Sequence, residues 1–225
     1  RQAHEQALTA NRMKTQLLAS VSHDLRTPLG VIMGYAEILQ TGALGRVVKK
    51  QKDAAAEILD SANRMLVFVN NLIGQAQLET GRVIIRPGIF QPKELTEGVK
   101  SLVGLTVKKK GLILISEIDA SLPEQLCGDP YWLKQILHNL VNNAVKFTEQ
   151  GTIKVRFYQV DESHWAMQVS DTGMGIPEDA RRSVFEAFRQ VEGIVSMEGS
   201  GLGLSIVSQL TQLMKGRIEL ESEMG

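Results

Sequence analysis

The stretch Ser22–Gln40 reads SHDLRTPLGVIMGYAEILQ, and apolar residues recur in and around it at alternating steps of three and four. This spacing is typical of a helical seam that packs against another helix. The members of the seam are Leu18, Val21, Leu25, Pro28, Ile32, Tyr35 and Leu39. The pattern predicts one long helix from Ala3 to about Gln40.

A loop at residues 41–45 precedes a second helix, which we expect to end near Gly81. The same spacing returns there in Ile58, Ala62, Met65, Val69, Leu72 and Ala76. Two helices joined by a short loop form an antiparallel hairpin. Because one hairpin cannot cover both of its apolar seams, we predict a homodimeric four-helix bundle.

After Gly81 the pattern changes to short apolar runs alternating with amphipathic segments. We predict strands at Val83–Ile85, Leu112–Ile115, Thr152–Val160, Trp165–Ser170 and Arg217–Glu221, and helices at Lys93–Lys109, at Pro130–Phe147 and from Gly203 through Met214. This mixture indicates a two-layer α/β sandwich. We therefore expect one domain at residues 1–82 and a second at residues 83–225.

Composition sets limits on the partners of the chain. The 225 residues include 25 basic and 25 acidic side chains, so bulk charge gives no support for nucleic-acid binding. The single cysteine, Cys127, excludes an intrachain disulfide, and we expect it to be a small buried side chain. We expect a cytoplasmic piece without membrane contact, cut from a longer protein that can be membrane-anchored.

His23 lies on the helix face opposite the seam, about 200° around from Val21 and Leu25. Asp24 is adjacent and could accept the Nδ1 proton, which leaves the Nε2 lone pair free to attack. Thr27 lies one turn along on the same face and could hold a water molecule. These neighbours favour a reactive histidine over an ordinary surface residue.

Two glycine-rich loops follow in the second domain. Asp171 stands at a strand end, where it could accept a hydrogen bond from an exocyclic amine, while Gly173 and Gly175 allow close approach of a base. The loop Gly199–Leu204 opens a helix and so offers an anion site, although it matches neither a Walker A nor a dinucleotide motif. A short glycine loop alone is also an ordinary turn.

Two asparagines occupy an otherwise apolar helix before the central strands. Asn139, Asn143, Lys146 and Phe147 follow at steps of four, three and one. Neutral amide oxygens suit Mg²⁺ that already bridges phosphates, and Lys146 would add a positive charge. The alternative, amides that bond to neighbouring backbone, is equally compatible with the asparagine pair alone.

Five motifs occur in the order typical of sensor histidine kinases, and the chain resembles the catalytic core of that two-component family over nearly its whole length. They are the H-box Ser22–Leu29, the N-box His138–Thr148, the G1-box Asp171–Gly175, the F-box Phe185–Phe188 and the G2-box Gly199–Leu204. The resemblance implies a HisKA-type dimerisation and phosphotransfer hairpin followed by a HATPase domain of the Bergerat fold.

The resemblance also implies roles for the residues of the hairpin. His23 would be the phosphoacceptor and Asp24 its general base. Thr27 would help to position water for dephosphorylation of a partner response regulator. A hinge near residues 81–90 would bring His23 and the nucleotide together.

On the ATP side, the resemblance implies that Asn143 binds Mg²⁺ with help from Asn139. Lys146 would contact the phosphates, Phe147 would lie near the nucleotide, and Asp171 would accept from the adenine amine. Backbone lining of the pocket would come from Gly173, Gly175, Gly201, Leu202 and Gly203. A mobile ATP lid would span about Arg181–Glu198, with Arg189 or Gln190 reaching the nucleotide.

The implied function is an ATP-dependent protein-histidine kinase that phosphorylates itself and passes the phosphoryl group to an aspartate of a receiver domain. Two alternatives are a kinase-inactive dimeric signalling scaffold and a Bergerat-fold ATPase of the chaperone or topoisomerase type. The complete set of motif residues argues against the first alternative. The hairpin that carries His23 argues against the second.

Overall fold

The first described helix, α1, covers residues 24–41 in a computed structural model that describes residues 24–81, 83–189 and 201–224. A turn at residues 42–48 leads into α2, Lys49–Glu79. The chain divides into two units, Arg1–Val83 and Ile84–Gly225. Within the described ranges, no helix combines the length and the apolar character needed to cross a membrane.

The helices α1 and α2 form the predicted antiparallel hairpin. The Arg26 guanidinium donates to Asn70 Oδ1 at 3.0 Å, which pairs the beginning of α1 with the later part of α2. At the start of α2, the Gln51 side chain accepts from the Val48 N–H at 3.0 Å and so satisfies a backbone donor that the helix leaves open. The prediction of an antiparallel helical hairpin is therefore confirmed over the described residues.

The interface within the hairpin differs from the predicted seam on α1. Its buried apolar residues are Leu29, Ala36, Ala55, Ala62, Val69 and Ala76, most of them small. Larger seam residues remain exposed in the single chain: Leu25, Ile32, Tyr35 and Leu39 on α1 and Ile58 and Met65 on α2. Two helices meet closely through small side chains, so the larger ones lie on the adjacent, outward face.

The second unit contains a two-stranded and a three-stranded sheet. Its elements are β1 (Gly88–Phe90), α3 (Pro92–Lys110), β2 (Ile113–Ile118), β3 (Leu126–Gly128), α4 (Pro130–Phe147), β4 (Thr152–Gln159), β5 (Trp165–Asp171), a 3₁₀ turn (Ser183–Phe185) and α5 (Gly203–Leu213). The strands β1 and β3 pair antiparallel, with Ile89 opposite Cys127. In the larger sheet, β4 lies between a parallel β2 and an antiparallel β5.

One face of the larger sheet carries the core of the second unit. Ile153, Val155 and Phe157 of β4 are almost completely buried and pack with α3 and α4. On the opposite face, Lys154 forms an ion pair with Glu117 at 2.8 Å, and both side chains are partly exposed. Helices therefore cover one face and solvent-facing charges cover the other, which confirms the predicted two-layer α/β arrangement.

Two strand predictions are wrong. Val83–Ile85 is not a strand, and the first strand instead begins at Gly88, where β3 provides a hydrogen-bonding partner. Arg217–Glu221 keeps alternating exposure, with Ile218 and Leu220 half-buried, but its backbone forms no ladder with a described strand. Alternating burial of side chains indicates an extended segment, but a β-strand also requires a neighbouring strand with which its backbone forms hydrogen bonds.

Cys127 is exposed, not buried as expected. It lies on β3 opposite Ile89, whose side chain is 74% exposed. Successive residues of a strand point to opposite faces, and Leu126 takes the buried position beside it. The cysteine therefore occupies the outer face of the two-stranded sheet.

Candidate nucleotide-binding site

Helix α4 is the element that positions most of the candidate site. The Asp129 side chain caps it by accepting from the Tyr131 and Trp132 N–H groups at 3.1 and 3.3 Å. Pro130 occupies the first turn, where its missing N–H costs nothing. The other carboxylate oxygen of Asp129 accepts from the Arg86 N–H at 2.7 Å, which fixes the helix start against the preceding segment.

Asn139 and Asn143 lie one turn apart on α4. Asn139 is only 3% exposed, and its Nδ2 has no hydrogen-bond partner among the described residues. A β-carbon on Gly203 would lie 3.7 Å from Asn139 Oδ1, so this asparagine packs against the beginning of α5. Asn143 is half-buried. An unpartnered buried amide is costly, and its presence indicates a place where a polar ligand completes the structure.

His138 is protonated less readily than an exposed histidine. Burial and the neighbouring charge of Lys134 lower the pKa of its imidazole below the usual value. Its Nε2 lies 3.2 Å from Asn142 Nδ2. Lys146 is therefore the basic side chain of the N-box that is suited to a phosphate, and its Nζ lies 4.5 Å from the centre of the Phe147 ring.

The predicted adenine side is built around Asp171, at the end of β5. Asp171 is exposed, and its Oδ1 accepts from the Gly173 N–H at 2.8 Å. Thr148, which is completely buried, directs its hydroxyl toward the same oxygen at 3.5 Å. The carboxylate is thus held at the strand end while remaining accessible to a ligand.

Glycine is required at two places in the G1-box. A β-carbon on Gly173 would lie 2.6 Å from the Phe147 carbonyl oxygen, which is closer than real β-carbons approach. Gly175 has a φ of +76°, and a β-carbon there would collide with the Glu223 carbonyl oxygen. Ser222 also accepts from the Ile176 N–H at 2.8 Å. The loop is consequently held between the end of α4 and the segment near residue 223.

The described part of the G2-box lies beside Asn139, in the middle of α4. Gly201 has a φ of +65°, and its carbonyl accepts from the Phe188 N–H at 3.0 Å. Leu202 is completely buried, and α5 begins at Gly203 with N–H groups that have no helical partner. Gly199 and Ser200 lie outside the described residues.

The structure brings the N-box, the G1-box and the described G2-box together through α4. Gly203 contacts the Asn139 turn, and Gly173 contacts Phe147 at the end of the helix. The phosphoacceptor prediction, His23, lies outside the described residues, as does Gln190. Asp24 and Thr27 are exposed at the beginning of the described part of α1. Arg189 pairs with Glu186, with its Nε 3.1 Å from Glu186 Oε2.

Sequence reasoning missed three residues that shape the site. Thr148 directs its hydroxyl toward Asp171, Ser222 holds the G1-box loop, and Lys110 contacts the end of α4. Thr148 directly follows Phe147 at the predicted end of a helix, and this position could have identified it as a residue of the site. Lys110 and Ser222 reach the site from distant parts of the sequence, and no local pattern distinguishes them.

The amide oxygens at this site suit a magnesium ion that is also bound by phosphate oxygens. No cluster of three or more His, Cys, Asp or Glu side chains occurs within residues 24–81, 83–189 and 201–224. A protein site made of neutral amide oxygens retains Mg²⁺ only when phosphate oxygens and water supply the other ligands. The unpartnered Asn139 Nδ2 is a donor that suits a phosphate oxygen, and the half-buried Asn143 one turn away offers an amide oxygen that suits Mg²⁺.

Comparisons with known families agree with both units. Residues 13–81 match the family model for the His Kinase A (phospho-acceptor) domain. Residues 128–225 match the model for histidine kinase-, DNA gyrase B- and HSP90-like ATPases. The site on α4 therefore belongs to an ATP-binding domain of that class.

Relatives are similar over almost the whole chain. The sensor histidine kinase GacS of Pseudomonas protegens is 35% identical over 229 residues, which cover 99% of this chain and 25% of that protein. The autoinducer 2 sensor kinase/phosphatase LuxQ of Vibrio cholerae is 34% identical and covers 99% of this chain and 26% of LuxQ. The chain thus spans about a quarter of either relative.

A solved structure supports the same assignment. Full-length ShkA in complex with AMPPNP matches with a TM-score of 0.68 and 31% identity, covering 94% of this chain and 44% of ShkA. The chain belongs to the sensor histidine kinases of two-component systems and comprises their catalytic core.

Proposed function

We propose that this chain is an ATP-dependent protein-histidine kinase that phosphorylates its own His23 and transfers the phosphoryl group to an aspartate of a response regulator. In this proposal residues 1–82 serve dimerisation and phosphotransfer, and residues 83–225 bind ATP. The observation that carries the proposal is the convergence of both glycine loops on α4, at Asn139 and at Phe147.

In the proposed nucleotide site, the base lies near the C-terminal end of α4 and the phosphates lie along the helix near its asparagines. Asp171 accepts from the adenine amine, and Gly173 and Gly175 allow the base to approach the backbone. Asn143 with Asn139 binds Mg²⁺, while Lys146 and the N-terminus of α5 face the phosphates. When bound, Mg²⁺ would neutralise negative charge on the phosphate oxygens during the transfer. Phe147, Gly201, Leu202 and Gly203 complete the lining.

The proposed chemistry on the hairpin is a single phosphoryl transfer. His23 Nε2 attacks the γ-phosphorus, the bond from that phosphorus to the β–γ bridging oxygen breaks, and ADP leaves. Asp24 accepts the proton that the imidazole releases from Nδ1. Positioning and charge neutralisation supply most of the catalysis, because phosphoryl transfer needs little covalent assistance.

Thr27 carries the proposed second activity, dephosphorylation of the regulator. Its hydroxyl lies one helical turn after His23 in sequence and is exposed on α1. LuxQ, one of the relatives, is named as both a kinase and a phosphatase. We expect Thr27→Ala to slow regulator dephosphorylation while leaving autophosphorylation intact, and equal loss of both rates would contradict this role.

The outward face of the hairpin supports the proposed homodimer. Ile32 is 45% exposed and Tyr35 is 63% exposed on one helix, and Met65 is 50% exposed on the other. Seven-residue spacing between Leu25, Ile32 and Leu39 aligns these side chains along the helix. A second hairpin would remove this apolar surface from water.

Ile32→Asp is therefore expected to weaken the dimer by about 100-fold or more, because the interface would bury an unpaired charge. Analytical ultracentrifugation measures the dissociation constant. Asn63→Asp places the same carboxylate at an exposed position of α2 and should leave that constant unchanged. A monomeric wild type, or equal dimerisation of Ile32→Asp, would contradict the proposed interface.

The kinase proposal is tested with γ-labelled ATP and Mg²⁺. The expected result is label on the protein that is lost in acid and retained in base, as a phosphohistidine is. An unlabelled protein that nevertheless binds ATP would remove the kinase proposal for this chain and leave nucleotide binding in place.

A further inference from the structure

Lys110, the last residue of α3, reaches across to the end of α4. Its Nζ donates to the carbonyl oxygen of Val145 at 2.7 Å and to that of Lys146 at 3.2 Å. The Thr148 carbonyl oxygen lies 3.4 Å away. One ammonium group therefore contacts three backbone acceptors over the last turn of the helix that carries Asn143 and Phe147.

These carbonyls belong to the part of a helix that lacks internal partners. The last four carbonyl groups of an α-helix receive no hydrogen bond from the helix itself. Thr148 satisfies one of them by donating its N–H to the Ala144 carbonyl at 3.0 Å. Lys110 satisfies the next two, and its positive charge also suits the negative end of the helix dipole.

The same turn holds the proposed adenine acceptor in place. Gly173 packs against the Phe147 carbonyl and donates its N–H to Asp171 Oδ1 at 2.8 Å. Thr148 follows Phe147, is completely buried and directs its hydroxyl toward the same carboxylate oxygen. Movement of the last turn of α4 would therefore displace Asp171 through both Gly173 and Thr148.

We propose that Lys110 is a positioning residue for recognition of the adenine amine, acting through the end of α4 on Asp171. This proposal rests on the proposed ATP site. The ammonium of Lys110 has no contact with the nucleotide in this scheme, and it sets the geometry of the carboxylate that does. Its removal should affect the base more than the phosphates.

The test compares binding of ATP with binding of purine riboside triphosphate, which lacks the 6-amino group. For the wild-type chain we expect about tenfold or greater preference for ATP, the size of one hydrogen bond to a charged acceptor. In Lys110→Met, the ratio of the dissociation constant for purine riboside triphosphate to that for ATP should fall at least about threefold. The affinity for purine riboside triphosphate should change less than about twofold. The autophosphorylation rate at saturating ATP should stay within about twofold, with a higher half-saturating concentration.

Two variants separate positioning from general stabilisation. Lys109→Met removes the neighbouring ammonium, which bonds to no residue in the described ranges, and should keep the wild-type ratio. Lys110→Arg should restore most of it, because a guanidinium also donates to carbonyl oxygens. Thermal unfolding of each variant shows whether the fold is retained.

The outcomes distinguish the inference from the function on which it depends. A wild-type preference near one would remove the assignment of Asp171 to the amine, and the role of Lys110 with it. A clear wild-type preference that persists in folded Lys110→Met would overturn the role of Lys110 alone. Equal loss of affinity for both nucleotides would show a merely structural lysine and would also overturn the proposal.

Discussion

Asn143→Ala is expected to reduce autophosphorylation by about 100-fold or more while leaving the fold intact. Loss of a group that stabilises charge in the transition state has effects of that order. Asn143 is half-buried and its helix is anchored by apolar residues on another face, so its removal leaves the core intact. The measurement pairs the initial rate of labelling with the midpoint of thermal unfolding.

The neighbouring residue provides a matched control. Asn142 is also half-buried, its amide contacts His138 Nε2 at 3.2 Å, and it is not one of the proposed metal ligands. We expect Asn142→Ala to label within a few-fold of the wild type. A large fall in the unfolding midpoint of Asn143→Ala would instead favour a structural role for the Asn143 amide.

Gly173→Ala is expected to raise the dissociation constant for ATP by about tenfold or more and to destabilise the second unit by about 1–3 kcal/mol. The added methyl group would lie 2.6 Å from the Phe147 carbonyl oxygen and 2.7 Å from Asp171 Oδ1. Either the loop or the end of α4 must move, and both belong to the proposed adenine site. Nucleotide titration and thermal unfolding measure the two effects.

Gly104 offers the contrasting substitution. It lies within α3, and a β-carbon there would meet no atom within 4 Å. Gly104→Ala should leave ATP affinity unchanged and stabilise the chain slightly, by about 0.5–1 kcal/mol, since alanine favours the helix. Unchanged ATP affinity in Gly173→Ala would contradict the proposed contact between this loop and the base.

The sequence predicted the ends of a helix correctly where the residues that begin and end the helix are adjacent to it in sequence. Helix α4 has the predicted bounds, Pro130–Phe147, because Asp129 caps it, Pro130 starts it and a heptad-like apolar face continues along it. Helices α3 and α5 also lie within a residue or two of prediction. Gly111 ends α3 in the left-handed conformation with a φ of +69°, as a C-terminal glycine commonly does.

Pairing between distant segments was not predictable in the same way. The strand β3 has only three residues, Leu126–Gly128, and becomes a strand through its pairing with β1. On α1, the sequence shows apolar residues on two adjacent faces without indicating which face contacts α2. The small side chains of Ala36 and Ala62 allow the two helices to approach closely, so the faces that carry them are in contact.

In the candidate site, too, some residues are predictable from local sequence and others depend on packing between distant segments. Asn139, Phe147, Asp171 and the glycines were identifiable from motif spacing, because their spacing is set within single elements. Lys110 is one of three consecutive lysines, Lys108–Lys110, and only the packing of α3 beside α4 singles it out. Its partner Val145 is 35 residues away in sequence.

The location of the labelled phosphate shows directly whether His23 accepts the phosphoryl group. After incubation with γ-labelled ATP and Mg²⁺, we expect acid-labile, base-stable label on the wild type and none on His23→Gln. His164→Gln removes an exposed histidine of the β4–β5 turn and should label as the wild type does. Label that survives His23→Gln, or that disappears equally from His164→Gln, would contradict His23 as the phosphoacceptor.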